Sequence, residues 1–515
     1  MYRKPAVNQL AFEDFVLPFG GTLRSDNRWV LLAKQIPWAE VETAYAQQFS
    51  NEDMGSPAKS SRLALGALIV QERLGVTDRE RVEQLAENPY LQYFVGLMAY
   101  QAEAPFHHAL LTTFRKRFRH DRLGHIHEAI ARQALDAPST EEGPGERPGA
   151  SESLAPKGQL LVDATCVPAD IKYPTDLHLL NEAREKTDTL IDHLHARRAT
   201  PTKKPRTYRQ NARRAYLRVA KSKKPGRQKL RQGIGKQLRY LRRNLRTIAS
   251  MAQEGLLVSL PPKRYRQLLI IQELYRQQLW MDTHRQHRIA DRLVSLSQPH
   301  VRPIVRGKAG HPVEFGANIS VSLVDGISFV DRISWDAYNE SMDLVEQIEA
   351  YHRRFGHYPA SVHADHIYRT RENRPYCHSK GIRLSGPPVG RPRKISETNA
   401  EQVKRDQHQG RADATARMAI EGKFGQGKRR FGLGRLMTKL AGTSEVMIQV
   451  SFLVMNLEHL LCRIGSFGVF SWWPTWRSAW KDRLVAKRDT MHADFSDRGG
   501  GNLAIRGAKI SQLAA

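Results

Sequence analysis

Residues 201–250 contain 18 Lys or Arg and not one Asp or Glu. A protein interior tolerates a cation only when it is paired, and this stretch supplies no partners of its own. The segment must therefore interrupt whatever core the chain builds. Its pieces RRAYLRVA and KQLRYLRRNLRTIAS alternate cations with Leu, Tyr and Ile at helical spacing. Two readings remain: a solvated helical hairpin or coiled region, or an arm or insertion that contacts phosphate. The second is favoured, because unneutralised like charges repel one another without an anionic partner.

The whole chain shares the bias. With 81 Lys or Arg against 52 Asp or Glu, its formal charge is +29 over 515 residues. Nucleic acid is the leading partner class and an anionic membrane surface the weaker one. No run approaches the roughly 18 apolar residues of a spanning helix, and the start MYRKPAVNQLAFEDF lacks a signal-peptide stretch, so no membrane partner is expected. Cys166, Cys377 and Cys462 are few and far apart, form no CxxC pair, and point to a reducing cytoplasm. The length exceeds one average domain and requires at least one sizeable core.

Helical periodicity dominates the first 135 residues. In SRLALGALIVQERLGVTDRERVEQLAENPYLQYFVGL, Gly75 interrupts the pattern and Thr77 precedes an acidic first turn, which predicts a cap and a helix restart. A helix-turn-helix-like unit and a plain helical bundle both satisfy that pattern. Residues 136–157 are rich in Pro, Gly, Ser and Glu and read as a linker. LLVDATCV then suits a buried strand, and NEAREKTDTLIDHLHA a helix. After the basic stretch, KRYRQLLIIQELYRQQLWMDTHRQHRIADRLVSL reads as helix, and HPVEFGANISVSLVDGISFVDRISW as two strands joined at Asp325-Gly326. SMDLVEQIEAYHRRFG is helical, YPASVHAD leads to a short strand, and two helices follow in DATARMAIEGKFGQGKRR and TSEVMIQVSFLVMNLEHLLCRI. The order predicts a mixed α/β core interrupted by a basic insertion.

Three acids stand in distinctive settings: Asp163 inside the LLVDATCV strand, Asp365 just after SVHA, and Glu421 in ARMAIEGKFGQGK. Carboxylates brought together this way repel one another, and a hard cation such as Mg²⁺ relieves that repulsion with oxygen ligands. Two bridged ions can activate water or a 3′-hydroxyl and stabilise a departing oxygen. Each acid also has a structural alternative. Asp163 can be a paired strand acid, Asp365 can bind Arg369 or Arg371, and Glu421 lies four residues after Arg417 and seven before Lys428 on an approximate helix face. Gly425 and Gly427 leave the continuity of that helix open.

LLVDATCVPADI, GHPVEFGANISVS, ISWDAYNES, ADHIYRTRENRPYC, GIRLSGPPVGRP and RMAIEGKFGQGKRRFGLGR occur in one order along the chain. In that order the sequence resembles a DDE transposase of the IS5/IS1182-like bacterial insertion-sequence group, over most of residues 10–460. The resemblance matches the family's acids to Asp163, Asp365 and Glu421, and its Arg-x3-Glu-x6-Lys pattern to Arg417, Glu421 and Lys428. Where that pattern often has Tyr, this chain has Ala414. The resemblance implies an RNase H-like catalytic core with a basic helical insertion, preceded by a helical N-terminal domain. It implies catalysis and metal binding by the three acids, with two Mg²⁺ ions for which Mn²⁺ can substitute.

The implied activity is strand cleavage at terminal inverted repeats and 3′-hydroxyl transfer into target DNA. A homodimer or higher homo-oligomer would act in the synaptic complex, on bacterial nucleoid DNA. A catalytically inactive, transposase-derived DNA-binding or regulatory protein is the alternative. Arg369, Arg371, Arg374, Arg417 and Lys428 are candidates for DNA-phosphate contact. On this reading residues 1–135 form a helical DNA-binding or oligomerisation domain. Residues 158–195 open the core, 196–295 form the insertion, 296–465 complete the core, and 466–515 are a C-terminal extension.

Overall fold

Ser60 and Gly75 bracket the helix on which the N-terminal region is built. The Ser60 hydroxyl accepts the Leu63 amide at 3.2 Å, and Gly75 ends the helix with φ of +67°, a left-handed conformation that costs glycine little. Thr77 then caps the next helix by accepting the Glu80 amide at 3.2 Å, as its position predicts. In this computed structural model, which describes residues 11–18, 20–49, 57–135, 156–198, 202–308, 311–386 and 399–469, the N-terminal helices are α1 (Arg28–Gln35), α2 (Trp38–Ala46), α3 (Ser61–Leu74), α4 (Asp78–Glu87), α5 (Pro89–Phe94), α6 (Leu110–Arg117) and α7 (His120–Leu135). Residues 61–70 of α3 are all buried, so it is the hub of a helical bundle and α4 keeps the solvent face. The expected linker falls almost wholly on residues 136–155, outside the described residues.

LLVDATCV lies within β1 (Gln159–Pro168), the strand that orders the sheet. From β1 the chain leaves for α8 (Asp176–His195), α9 (Arg209–Ala220), α10 (Arg227–Gln253) and α11 (Pro262–His284), and returns as β2 (Arg302–Lys308), β3 (His311–Val324) and β4 (Ile327–Ser334). The β3–β4 turn is Asp325-Gly326, with φ of +47° and +81°, the pair of positive angles that a two-residue hairpin requires. Next come α12 (Leu344–Phe355), β5 (Ser361–His363), α13 (Asn373–Ser379), β6 (Arg383–Leu384), α14 (Ala400–Arg430) and α15 (Ala441–Val469).

The strand order is β2-β3-β1-β5-β6, with β4 also paired to β3. β3 is long enough to serve two partners on one edge: β2 along Val313–Gly316 and β4 along Asn318–Val324. Its other edge runs antiparallel to β1 from Leu161↔Leu323 to Pro168↔Gly316. β1 and β5 are parallel, with Leu161 beside His363, and β5 and β6 are parallel as well. The chain is thus a mixed α/β protein with a helical N-terminal region.

Four expectations need correction or extension. First, α8 does not belong with the sheet. Its Leu179, Leu180 and Ala183 pack on Leu238, Leu241, Ile271 and Leu274, and its Leu190, Ile191 and Leu194 pack on Ile248 and Met251. The inserted bundle therefore starts at Asp176 rather than residue 196, because α8 finds its apolar partners on α10 and α11. Second, α11 stops at His284, where Arg285 turns left-handed with φ of +55°. Third, α14 continues through Gly425 and Gly427 to Arg430. Gly427 is there for packing, since a Cβ would lie 2.6 Å from Leu433 Cδ1 and 3.2 Å from Met455 Sδ.

Fourth, residues 441–464 are long and apolar enough by length and composition to cross a membrane, although no unbroken apolar run signals it. Polar Gln449, Ser451 and Asn456 interrupt the sequence. Within the protein 72% of the most apolar window is buried, which is why the helix is apolar on most sides. Asn456 accepts the Ser328 amide at 3.0 Å, and the Ser451 hydroxyl donates to Glu72 at 2.8 Å, so α15 ties β4 and α3 together. The described residues up to His459 belong to one compact unit, and everything described below lies in it.

Candidate active site

β1 and β5 lie side by side and run the same way, so residues just beyond His363 emerge next to the middle of β1. That placement sets Asp365 beside Asp163. Asp365 leaves the strand and caps a short turn, its carboxylate accepting the His366 amide at 2.7 Å. Asp163 stays within the strand and accepts the Ala164 amide at 2.8 Å.

The third acid arrives on α14, which is fixed to the same sheet edge from below. Asp413, buried on α14, receives Arg383 of β6 at 2.6 and 3.0 Å and lies 3.6 Å from His363 of β5. About one and two helical turns later come Arg417 and Glu421. Arg417 reaches Asp365 at 2.8 Å with one nitrogen and Glu421 at 3.0 Å with another.

Electrostatics links all three acids to this one guanidinium. Burial pushes the Asp163 carboxyl up to about 6, with Glu340 and Asp365 adding repulsion against the pull of the Ala164 amide and Arg417. Partial burial works to raise Asp365 too, but the His366 amide and Arg417 outweigh it and hold it below its ordinary range. Desolvation works to lower Arg417, and Asp365, Asp163 and Glu421 together overcome it and raise the guanidinium. Three carboxylates thus share one cation.

The remaining candidates divide by what they already hold. Arg369 donates to the backbone carbonyls of Leu384 (3.0 Å) and Ser385, so it braces β6 rather than facing outward. Its expected role at phosphate is not supported, nor is its pairing with Asp365, which Arg417 takes instead. Arg374 is half-buried and donates to the Thr370 carbonyl at 3.2 Å; Arg371 is exposed. Lys428 is half-buried two turns beyond Glu421, near the end of α14. Ala414 is exposed, so a Tyr there would have had no core to fill. The loop GIRLSGPPVGRPRK falls largely on residues 387–398, outside the described residues.

Sequence reasoning missed several supporting groups. Asp413 and Arg383 orient α14, and Asn373 staples two turns by donating to the carbonyls of Ser341 (2.8 Å) and Tyr368 (2.9 Å). Glu340 lies on the first of those turns and accepts Asn318 at 3.1 Å. Tyr368 is fully buried on the second, and its hydroxyl finds no hydrogen-bond partner among the described residues. Burial, then Glu340 and Asp163, push that phenol far above its ordinary range. The motif ISWDAYNES signals Glu340, but neighbouring letters do not show which acid it meets.

Two family models match parts of the chain. Residues 362–458, which include Asp365 and Glu421, match the family described as "Transposase DDE domain". Residues 19–117, spanning α1 to α6, match "Transposase domain (DUF772)". The chain is 34% identical over 154 residues to "Uncharacterized protein ORF8 in nfe locus" of Rhizobium meliloti, covering 30% of this chain and 68% of that one. The chain belongs to the DDE transposases of bacterial insertion sequences. No solved structure matches it.

Transposase DDE domains generally use divalent metal ions. Among the described residues of this transposase, no group of three or more His, Cys, Asp or Glu is already gathered to hold one. The donor chemistry nevertheless fits. Asp163, Asp365 and Glu421 offer only hard carboxylate oxygens, and the guanidinium of Arg417 stands among them where a compensating positive charge is needed.

Proposed function

We propose that the protein is an active DNA transposase with an RNase H-like catalytic core, in which Asp163, Asp365 and Glu421 carry the reaction. The single observation that supports this most is the convergence of an acid from β1, an acid beyond parallel β5 and an acid from α14 on one guanidinium. The order β2-β3-β1-β5-β6, with β4 on β3, supports the RNase H-like reading: antiparallel strands lie to one side of β1 and parallel ones to the other.

Asp163, Asp365 and Glu421 would hold divalent metal, Mg²⁺ in this reading, which when bound supplies a more acidic water or 3′-hydroxyl and stabilises a departing oxygen. The protein's own part is positional. β1 and the Asp365 turn hold two carboxylates rigidly, whereas Glu421 sits on a helix whose placement depends on Asp413 and Arg383. Arg417, released from the acids, is long enough to meet the phosphate beside them, with Arg371 and Lys428 as further candidates for phosphate contact. Terminal inverted repeats are the first substrate and target DNA the second, within a homo-oligomeric synaptic complex.

The test is cleavage of DNA carrying the element's own ends, by the purified chain with Mg²⁺. Asp163→Asn, Asp365→Asn and Glu421→Gln should each fold, bind the ends and lose cleavage by on the order of 10³-fold or more, several kcal/mol of barrier. Near-normal cleavage by any one of them would remove that acid from the centre. End binding by the wild type without metal-dependent cleavage would identify a transposase-derived DNA-binding protein instead.

A further inference from the structure

α9 and α10 lie against each other closely. Gln237 of α10 donates to the Ala212 carbonyl of α9 at 3.0 Å, and Gly233 lets Val219 approach so near that a Cβ would lie 3.0 Å from Val219 Cγ2. On the outer side of this seam the two helices frame an open groove of about 550 Å³. Arg214 and Arg218, four apart on α9, form one wall, and Lys236, Arg239 and Arg243 form the other. Ala215 and Tyr240 lie between the rows, with Asn211 at one end.

Several cations elsewhere in this bundle are answered by carboxylates. Arg184 pairs with Asp188 at 2.7 Å, Arg198 with Glu254 at 2.6 Å, and Lys204 and Arg209 both with Asp192 at 2.5 and 2.8 Å. The groove differs: among the described residues no carboxylate pairs with Arg214, Arg218, Lys236, Arg239 or Arg243. Arg243 instead lies over the rings of Tyr208 and Tyr240, at 4.3 and 5.3 Å, which holds its guanidinium at the groove without neutralising it. Nearby acids are spent on other cations. Two facing rows of uncompensated charge persist in a folded protein only at a repulsive cost, which a polyanion entering between them removes.

We propose that the groove between α9 and α10 is a clamp for one phosphodiester strand of duplex DNA, gripping successive phosphates from both sides. The proposal rests on the transposase reading only for the identity of the polyanion. The rows suit a linear ligand of repeated single charges. Because the residues involved are Arg and Lys rather than base-reading amides, the clamp adds affinity and salt dependence without choosing sequence.

The experiment measures binding of the full-length chain to a 30-base-pair duplex of arbitrary sequence across a salt series, without divalent metal. The background is Asp163→Asn, so failure of the acid triad cannot affect the outcome. Arg214→Gln/Arg218→Gln/Arg239→Gln is compared with Arg213→Gln/Arg231→Gln/Arg242→Gln, which removes equal charge from exposed positions outside the groove. The groove variant should lose roughly tenfold or more in affinity, and its log–log salt slope should fall by about 2.7, the value for three phosphates. The control should lose less than threefold. Equal losses in the two triples would reduce the effect to net charge and overturn the clamp. Tighter wild-type binding to a hairpin RNA of equal length, abolished by the groove triple, would overturn the choice of DNA. Circular dichroism on both triples checks that each remains folded, and Arg218→Glu alone, expected to weaken binding with the fold intact, keeps the test decisive if a triple does not.

Discussion

The acid site and the basic groove are opposites built from the same deficiency. At the first, Asp163, Asp365 and Glu421 share the single cation Arg417; at the second, five cations share no carboxylate among the described residues. Two other charged clusters among the described residues are closed. Arg354 bridges Asp331 and Glu128 at 3.1 and 3.0 Å, and Asp188 takes both Arg184 and Asn244, leaving little for an outside ligand to satisfy. The contrast teaches that net charge, spread over the whole chain, is a poor guide to sites. What matters is where folding leaves one sign locally in excess, carboxylates at one place and cations at the other.

The largest stability effect should come from the anchor of the acid site. Asp413→Ala leaves His363 and Arg383 without their carboxylate and should cost about 1–3 kcal/mol, read by chemical denaturation. It should also weaken Mn²⁺ binding, because Glu421 depends on the same helix. Unchanged metal binding would mean that α14 is held by packing alone.

Asp163 gives an effect of opposite sign. Its carboxyl titrates near 6 in the folded chain against an ordinary value of 3.8, so the folded state binds more protons between those values. Metal-free stability should therefore fall as pH rises from about 4 to 6. Asp163→Asn should remove that fall and stabilise the metal-free protein above pH 6 by roughly 1–2 kcal/mol. A parallel pH profile in the variant would show that the acid is not under strain.

Smaller still is the effect of Arg417→Gln, which leaves the three acids to repel one another. It should cost about 1 kcal/mol without metal, and saturating Mg²⁺ should recover the loss. The smallest belongs to the groove, where Arg218→Gln should change stability by less than about 0.5 kcal/mol while still lowering DNA affinity.

Local chemistry made much of this fold readable. Gly75 and Thr77 punctuate α3 and α4, Asp325-Gly326 closes the hairpin, and the branched apolar run around Asp163 is a strand. Asp163 and Asp365 stand out by their strand settings, whereas Glu421 resembles an ordinary helix-face acid and is picked out by the family's Arg-x3-Glu-x6-Lys pattern. What was not readable depends on contacts far apart in sequence. Nothing near Arg417 shows that it reaches Asp365 as well as Glu421, and nothing near Asp413 shows that Arg383 meets it from β6. The apolar periodicity of α8 fits either the sheet or the bundle, and only the matching face on α10 and α11 decides. The apolar character of α15 is readable in TSEVMIQVSFLVMNLEHLLCRI, but not that Ser451 and Asn456 meet α3 and β4, elements more than a hundred residues away.

The central claim is that Asp163, Asp365 and Glu421 form one metal centre whose place Arg417 holds. Mn²⁺ titration followed by electron paramagnetic resonance tests it directly, without DNA or turnover. The wild type should bind Mn²⁺ with a broadened spectrum that Mg²⁺ displaces, and Asp163→Asn, Asp365→Asn and Glu421→Gln should each weaken that binding by at least tenfold. Arg417→Gln should retain it. Undiminished Mn²⁺ binding in all three acid variants would contradict the account.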